Sequence, residues 1–269
     1  MTLRQMTLRQ RLLFIAQLAV TLLICAFLFV PVVVSAVTGF SASYFRGLSA
    51  GLTLKWVTQV VTDYHGAIVN SLLVAGATLA VVLLVGVPAG YVLARWESRL
   101  ARLIEELITL PIALPGLASA LAIISVYGGM RDFRISLWFI IAGHVIFTLP
   151  FMVRSVAAAC ASQNIRLLEE GAASLGARFP QRFATIVVPN IHAGILAGAL
   201  MVVTLSLGEF NLTWMLHTPL TETLPVGLAN AYASLRIEVG SAYTTIFFVI
   251  VIPLLLIMQS LDRSKKTRR

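Results

Sequence analysis

Long apolar stretches with almost no charge set the strongest limit on what this chain can fold into. The first, residues 12–37, contains no Asp, Glu, Lys or Arg. Five more follow, over about 67–94, 103–127, 135–158, from 190 onward, and 240–261. An α-helix of about 20 apolar residues crosses the hydrocarbon core of a bilayer. We therefore expect an all-α, polytopic membrane protein with six transmembrane helices.

Composition and cysteine content agree with a membrane protein. Hydrophobic residues make up 59% of the chain and charged residues 12%, whereas soluble domains carry roughly 25% charged residues. The two cysteines, Cys25 and Cys160, lie in apolar stretches and form neither a disulfide framework nor a metal-binding pair. The formal net charge of +9 could attract nucleic acid, but the distribution of the basic residues argues against that class.

The basic residues cluster on one predicted side of the membrane. Fifteen of the 20 Lys and Arg residues lie in residues 1–11, 95–102, 154–182 and the C-terminal tail. Cytoplasmic loops carry such an excess, so both termini and the loop at about 160–189 are expected in the cytoplasm. Residues 1–11, with their repeated MTLRQ, would form a cytoplasmic arm, and residues 12–269 a single transmembrane domain. Two G-x-x-x-G pairs, Gly86 with Gly90 and Gly194 with Gly198, predict close helix packing.

The most polar of the predicted cytoplasmic loops keeps a helical pattern. Ile165, Leu168, Ala172 and Leu175 recur at the spacing of one helix face. Gly176 is placed to end that helix, and a proline at 180 prevents its continuation. The pattern predicts a short amphipathic helix, a tight bend and a second short helix on the membrane surface.

The same loop resembles the EAA loop of permease subunits in bacterial binding-protein-dependent ABC importers. That motif reads E-A-A, three residues, G, nine residues, then I-x-L-P. The matching positions here are Glu170, Gly171, Ala172, Gly176, Ile186, Val187, Val188 and Pro189. Gly171 replaces an alanine and Val188 a leucine, so small or apolar character is kept at both departures.

The resemblance implies a fold, a site and partners. The fold would be that of type I ABC importer permeases, and the loop would dock on a separate ABC ATPase subunit. The implied coupling residues are Glu169, Glu170, Gly171, Ala172, Leu175, Gly176, Ile186 and Pro189. The other implied partners are a periplasmic substrate-binding protein and a second permease, homologous or identical, in a bacterial inner membrane.

No nucleotide site is expected in this chain. Its three lysines all lie outside a G-K-[ST] context, so the chain has no P-loop to cradle phosphates. ATP and Mg²⁺ would be bound by the partner ATPase. The resemblance therefore implies a transport subunit with no catalytic residue, metal or cofactor of its own.

The solute is indicated by resemblance to one branch of the family, which imports polyamines, ferric ion and phosphonates. The segments 206–210 and 223–225 are most similar to permeases for 2-aminoethylphosphonate. We expect that solute, with a polyamine or ferric ion as the alternative.

Three residues are candidates for the solute path or its gate: Glu209, Asn211 and His144. A carboxylate within a membrane span is a functional hypothesis by default. Glu209 would lie near the outer interface unless the helix breaks at Gly208, in which case Glu209 and Asn211 could line a cavity within the membrane. His144 either contacts solute or is a core histidine bonded to a carbonyl or hydroxyl.

Two other functional classes are weighed against this one. An ion-coupled secondary carrier usually shows inverted repeats or several acids within the membrane, and the sequence shows neither. An intramembrane enzyme could use Ser49, which lies in a G-x-S-x-G sequence at 47–51. That motif marks a nucleophile only on a strand-to-helix elbow with His and Asp partners.

Overall fold

The computed structural model describes residues 8–96 and 98–266, and over these residues the chain is helical with no β-strand. A single antiparallel bridge joins Ser41 to Leu52. The helices are α1 (Leu8–Thr38), α2 (Lys55–Asp63), α3 (His65–Arg95), α4 (Arg99–Ala113), α5 (Gly116–Tyr127), α6 (Arg131–Arg134), α7 (Leu137–Ser162), α8 (Ile165–Ser174), α9 (Phe179–Arg182), α10 (Val188–Asn190), α11 (His192–Gly208), α12 (Asn211–Leu216), α13 (Leu224–Ala233) and α14 (Ile237–Lys266). A π-helical turn, Phe183–Val187, joins α9 to α10. The expected all-α class is confirmed.

Four of these helices are each long and apolar enough to cross a membrane: α1, α3, α7 and α14. Two further stretches qualify only as bent pairs. Helices α4 and α5 are bent by 109°, and the helical stretch 179–190 and α11 by 70°. The described residues thus offer four spans, or six if each bent pair counts as one.

The central packing unit is α3 against α7 and α11, and glycines bring these helices close together. A Cβ atom on Gly90 would lie 2.7 Å from the carbonyl oxygen of Val153, and one on Gly198 would lie 2.7 Å from the sulfur of Met152. A Cβ on Gly86 would also collide with Met152, at 2.9 Å. The close packing predicted from the two G-x-x-x-G pairs is confirmed.

The predicted apolar span over 103–127 is divided into two helices, α4 and α5. Helix α4 ends at Ala113, and Leu114 is extended, with φ −87° and ψ 138°. Pro115 follows, and its ring disfavours helical geometry at the residue before it. The chain turns sharply here and starts α5 at Gly116.

The helix break considered at Gly208 is present. Helix α11 ends at Gly208, and Glu209 is extended, with φ −72° and ψ 121°, before α12 begins. Since α11 has 17 residues, it rises about 26 Å. Glu209 therefore lies at a chain break between two helices.

The G-x-S-x-G sequence does not form a nucleophile elbow. Residues Gly47–Ala50 form a single 3₁₀ turn, and the Ser49 hydroxyl donates to the carbonyl of Arg46 at 2.6 Å. The geometry that a serine nucleophile requires is a strand leading into a helix. Ser49 accordingly lies in an ordinary turn.

Candidate functional site

Residues 165–190, here called the docking segment, form a helix, a tight bend and a second helical stretch. Helix α8 ends at Ser174, and Gly176, two residues later, has left-handed backbone geometry, with φ +85°. The amide of Gly176 donates to the carbonyl of Ala173 at 2.9 Å, and that of Ala177 to the carbonyl of Ala172 at 3.1 Å. This pair of bonds is the Schellman motif, which glycine favours because it has no Cβ. The predicted helix and bend are confirmed.

The buried face of α8 differs from the predicted apolar face. Ile165 is buried and packs in the core with Val187 and Ile191, but Leu168 and Leu175 point away from the protein, and Leu175 is 88% exposed. The residue that joins Ile165 in the core, one helical turn on, is the acid Glu169. Anchoring α8 through these two side chains turns the two leucines outward.

Glu169 is fully buried because two side chains of α3 hold its charge. The guanidinium of Arg95 lies 2.6 Å from one carboxylate oxygen. The hydroxyl of Tyr91 is shared between the two oxygens, at 2.8 and 2.9 Å, and accepts a bond from Arg95 at 2.8 Å. Buried carboxylates need such charge-assisted bonds. The three side chains form a closed cluster that ties α8 to the end of α3.

Tyr91 also anchors the second half of the docking segment. Its ring meets that of Phe183 edge-on, with centroids 5.3 Å apart, and lies 6.3 Å from the ring of Phe179. Arg182 donates to the backbone carbonyl of Glu169 at 3.5 Å. One tyrosine therefore contacts both helical parts of the segment, and aromatic pairs in such geometries stabilise a contact beyond simple burial.

The outer surface of the docking segment is apolar and open. Leu167 is 66% exposed, and Leu175 and Phe179 are also exposed. A Cβ atom on Gly171 or Gly176 would meet nothing within 4 Å. Apolar residues clustered on an exposed surface are typical of interaction sites, and the surface beside the two glycines is open.

The remaining predicted coupling residues are distributed along this segment. Glu170 is exposed and pairs with Arg166 at 3.0 Å on the same helix. Ala172 and Ile186 are half-buried, and Pro189 is exposed. The predicted coupling residues Glu170, Gly171, Leu175 and Gly176 are therefore exposed on α8 and the bend. Glu169, in contrast, is fully buried.

His144 lies in the core rather than on a cavity. It is 1% exposed, and its two ring nitrogens lie 2.8 Å from the hydroxyls of Ser206 and Thr213. The interpretation of a core histidine bonded to hydroxyls is confirmed. Because its partners stand on α11 and α12, His144 links three helices.

Glu209 caps the short helix that follows the break. One carboxylate oxygen accepts a bond from the backbone amide of Leu212 at 2.5 Å, which satisfies a free amide at the start of α12. Asn211 is exposed. It packs close to Gly116, because a Cβ atom added to Gly116 would lie 3.3 Å from the Cβ of Asn211. Glu209 forms no ion pair within residues 8–96 and 98–266.

Comparison with known proteins identifies the family. Residues 86–267 match the family described as "Binding-protein-dependent transport system inner membrane component". The chain belongs to this family. The permease is a multi-pass membrane protein and a subunit of an ABC importer, and its family is one of transport permeases rather than enzymes.

Named relatives match the permease over nearly its whole length. One is the "Putative 2-aminoethylphosphonate transport system permease protein PhnV" of Salmonella typhimurium, which is 26% identical over 93% of this chain and 94% of its own. Another is the spermidine/putrescine transport system permease protein PotC of Escherichia coli, 24% identical over 90% and 92%.

Two solved structures share the fold of the permease. A bacterial ABC transporter involved in the import of alginate has a TM-score of 0.71 at 16% identity and covers 95% of this chain and 96% of its own. The MetNI methionine ABC transporter in an inward-facing conformation has a TM-score of 0.60 at 16% identity, over 75% and 94%.

Sequence reasoning missed the partners of Glu169. Arg95 was visible as a flanking basic residue, and Tyr91 precedes it by one helical turn. Two features of the sequence could have indicated this contact. Tyr91 and Arg95 are polar residues at the end of an apolar stretch, and Glu169 is a second acid beside Glu170. Nothing local connects the two, because 74 residues separate Arg95 from Glu169.

Proposed function

We propose that this permease passes 2-aminoethylphosphonate from a periplasmic binding protein across the inner membrane. The observation that carries the proposal is the end-to-end similarity to PhnV, at 26% identity over 93% of the chain. The similarity to PotC, at 24% over 90%, makes a polyamine the second candidate. Both solutes carry a primary amine. Ferric ion, which lacks one, is the weakest candidate.

The energy for transport would enter through the docking segment. Its exposed leucines and glycines suit contact with a groove in an ABC ATPase subunit, which would bind ATP and Mg²⁺. The coupling residues in this proposal are Glu170, Gly171, Ala172, Leu175, Gly176, Ile186 and Pro189. Glu169 has a different task, since it fixes the segment to α3.

This anchoring would make the docking segment a lever. Closure of two ATPase subunits would displace α8, and the Glu169 cluster would pass that displacement to α3 rather than let the loop bend. The spans would then shift between inward-open and outward-open arrangements, which is a two-state change driven from a distant site. Such a change requires a second permease, identical or homologous, on the other side of the path.

The proposed membrane arrangement has six spans, with each bent helix pair counted as one, and both termini in the cytoplasm. Residues 1–11, of which 1–7 lie outside the described residues and 8–11 begin α1, would be a cytoplasmic arm, and 12–269 one transmembrane domain. The excess of basic residues on the docking-segment side supports this orientation. Glu209 and Asn211, at the helix break, are the proposed solute-facing groups, whereas His144 has no exposed atom to offer.

Uptake into proteoliposomes tests the solute. The permease would be reconstituted with its cognate ATPase and binding protein, and labelled 2-aminoethylphosphonate, putrescine and ferric ion supplied in turn. We expect ATP-dependent accumulation of 2-aminoethylphosphonate that unlabelled putrescine does not compete away. Uptake of putrescine alone would transfer the assignment to polyamines, and uptake without ATP or ATPase would contradict the importer mechanism.

A further inference from the structure

A groove of about 710 Å³, here called the α3–α7 groove, runs along the half of α7 that lies farther from the docking segment. Its apolar wall comes from α3 and α7 and consists of Val81, Ile141, Ala142, Val145 and Ile146. The turn around α6 and the first turn of α7 line the other end with Asp132, Phe133, Ser136 and Trp138. None of these side chains has a part in the coupling mechanism above.

The lining of the groove changes from polar to apolar along α7. Asp132 and Ser136 precede the helix, which begins at Leu137, and the apolar wall continues to Ile146. From Ser136 to Ile146 the chain rises by about 15 Å, which is half of the roughly 30 Å hydrocarbon core of a bilayer. The groove therefore has the length of one leaflet of the membrane that α7 crosses.

Trp138 marks the level of the polar end. Its side chain is 60% exposed and stands in the first turn of α7. Tryptophan is enriched at the boundary between membrane and water, where its ring lies among lipid headgroups. The polar end of the groove thus lies at headgroup level, and the apolar wall lies at the level of the acyl chains.

The polar end presents charges that the protein itself does not pair. Asp132 is exposed and forms no ion pair within residues 8–96 and 98–266, and the same holds for its neighbour Arg131. Arg134, at the other end of α6, is engaged elsewhere. It donates to the carbonyl of Leu216 at 2.7 Å and lies over the ring of Phe139, 4.9 Å from its centroid. One carboxylate and one guanidinium, adjacent in the chain, are left open at the membrane boundary.

We propose that the α3–α7 groove binds one phospholipid with a primary ammonium headgroup, such as phosphatidylethanolamine. An acyl chain would lie along the apolar wall, and the ammonium group, with its three N–H donors, would bond to the carboxylate of Asp132. The lipid phosphate would face Arg131, since guanidinium groups favour phosphate. The inference goes beyond the proposed function, because it concerns a bound lipid and not the transported solute.

The charges at the groove favour this lipid over two other occupants. Phosphatidylglycerol carries only negative charge and would bring its phosphate towards Asp132 without a cation to pair it, which is unfavourable between like charges. A second permease subunit could also cover an apolar groove. The lipid accounts for more of the site, because its zwitterionic headgroup complements both open charges and its chain matches the length of the wall.

Lipid retention by the purified protein tests the proposal. The full-length permease in detergent would be titrated with phosphatidylethanolamine, phosphatidylcholine or phosphatidylglycerol of identical acyl chains, and bound lipid counted by native mass spectrometry. We expect one phosphatidylethanolamine to be retained about fivefold more tightly than phosphatidylglycerol, the ratio that an exposed ion pair supports. Phosphatidylcholine, which has no N–H donor, should also be retained more weakly. Equal retention of all three lipids would overturn the proposal.

Two variants locate the lipid. Asp132→Asn should abolish the preference for phosphatidylethanolamine, whereas the control Asp63→Asn, an exposed carboxylate outside the groove, should keep it. Ala142→Phe places a ring in the space of the acyl chain and should weaken retention about tenfold, and the control Ala19→Phe, exposed on α1, should not. Because Asp132 is exposed, its variant remains informative even if Ala142→Phe fails to fold.

The same variants distinguish the lipid from a second permease subunit. A differently tagged second copy of the permease would be purified with each variant. If Ala142→Phe prevents that copurification and leaves lipid retention unchanged, the groove is a contact between subunits and the lipid assignment is overturned. A preference for phosphatidylethanolamine that persists in Asp132→Asn would overturn it as well.

Discussion

The carboxylate of Glu169 lies 2.6 Å from the guanidinium of Arg95, although 74 positions separate the two residues in the chain. The contact joins the first helix of the docking segment to the end of α3, a membrane-length helix. Glu169 is completely buried, whereas Arg95 is one-third exposed. The permease therefore holds the segment that carries the exposed Leu167 and Leu175 by a charged contact that lies inside the protein.

Removing this anchor should destabilise the permease more than removing its neighbour. Glu169→Ala leaves Arg95 and Tyr91 without their acceptor, and we expect a loss of roughly 3 kcal/mol, the low end for a buried pair because Arg95 is partly exposed. The control Glu170→Ala breaks an exposed pair on one helix and should change stability by about 0.5 kcal/mol or less. Thermal unfolding in detergent measures both.

A double-mutant cycle with Arg95→Ala tests whether the two charges act together. The double variant should lose clearly less stability than the sum of the single variants, because the interaction is removed only once. Strict additivity would show that the contact contributes nothing and that α8 is held by packing alone.

The two glycines of the docking segment should respond to alanine in opposite directions. Gly176→Ala places a Cβ in left-handed geometry, φ +85°, and should destabilise by about 1 kcal/mol. Gly171→Ala lies within α8, where a Cβ meets nothing within 4 Å, and should stabilise by roughly 1 kcal/mol. Unfolding midpoints of the two variants decide this, and a shift of the same sign in both would refute the bend geometry.

Helix packing offers a similar comparison on α3. Gly90→Ala forces a Cβ against the Val153 carbonyl at 2.7 Å and should cost about 1–3 kcal/mol through overpacking. Gly76→Ala, on the same helix, meets nothing within 4 Å and should be neutral or stabilising. Equal unfolding temperatures for the two variants would contradict the close approach of α3 and α7.

His144 should prove structural rather than solute-binding. His144→Leu leaves the Ser206 hydroxyl without its partner, whereas the Thr213 hydroxyl keeps its bond to the carbonyl of Glu209 at 3.2 Å. A buried unsatisfied group costs about 1–3 kcal/mol. We expect a lower unfolding temperature, with the KM for solute close to the wild-type value in the fraction that folds. A KM raised tenfold without loss of stability would instead indicate a direct contact between His144 and solute.

The sequence predicted those features that depend on local pattern. The long apolar stretches gave the helices α1, α3, α7 and α14, and glycine and proline spacing predicted the bend at Gly176. Glycine spacing also predicted the close approach at Gly90. These features follow from periodicity and backbone preference within a few residues.

The features that the sequence did not predict depend on distant contacts or on competing signals. The sharp turn at Leu114 and Pro115 was overlooked because the residues around it are apolar enough to continue a span. The apolar spacing of Leu168 and Leu175 did not reveal which face of α8 is buried, because a buried acid, Glu169, fixes that face. That acid can be buried only because of Arg95, and no local pattern reveals the pair.

The most direct test of the account is whether the exposed face of the docking segment binds the ATPase. The tagged permease would be purified in detergent with its cognate ATPase, comparing wild type, Leu175→Asp and the control Leu235→Asp. Leu175 and Leu235 are 88% and 84% exposed and both stand at helix ends, so neither change should alter folding by more than about 0.5 kcal/mol. We predict that Leu175→Asp lowers ATPase recovery at least about tenfold, as expected when a charge is buried in an apolar contact, and that Leu235→Asp leaves it unchanged. Equal recovery with all three proteins would contradict the assignment of this surface as the ATPase-docking site.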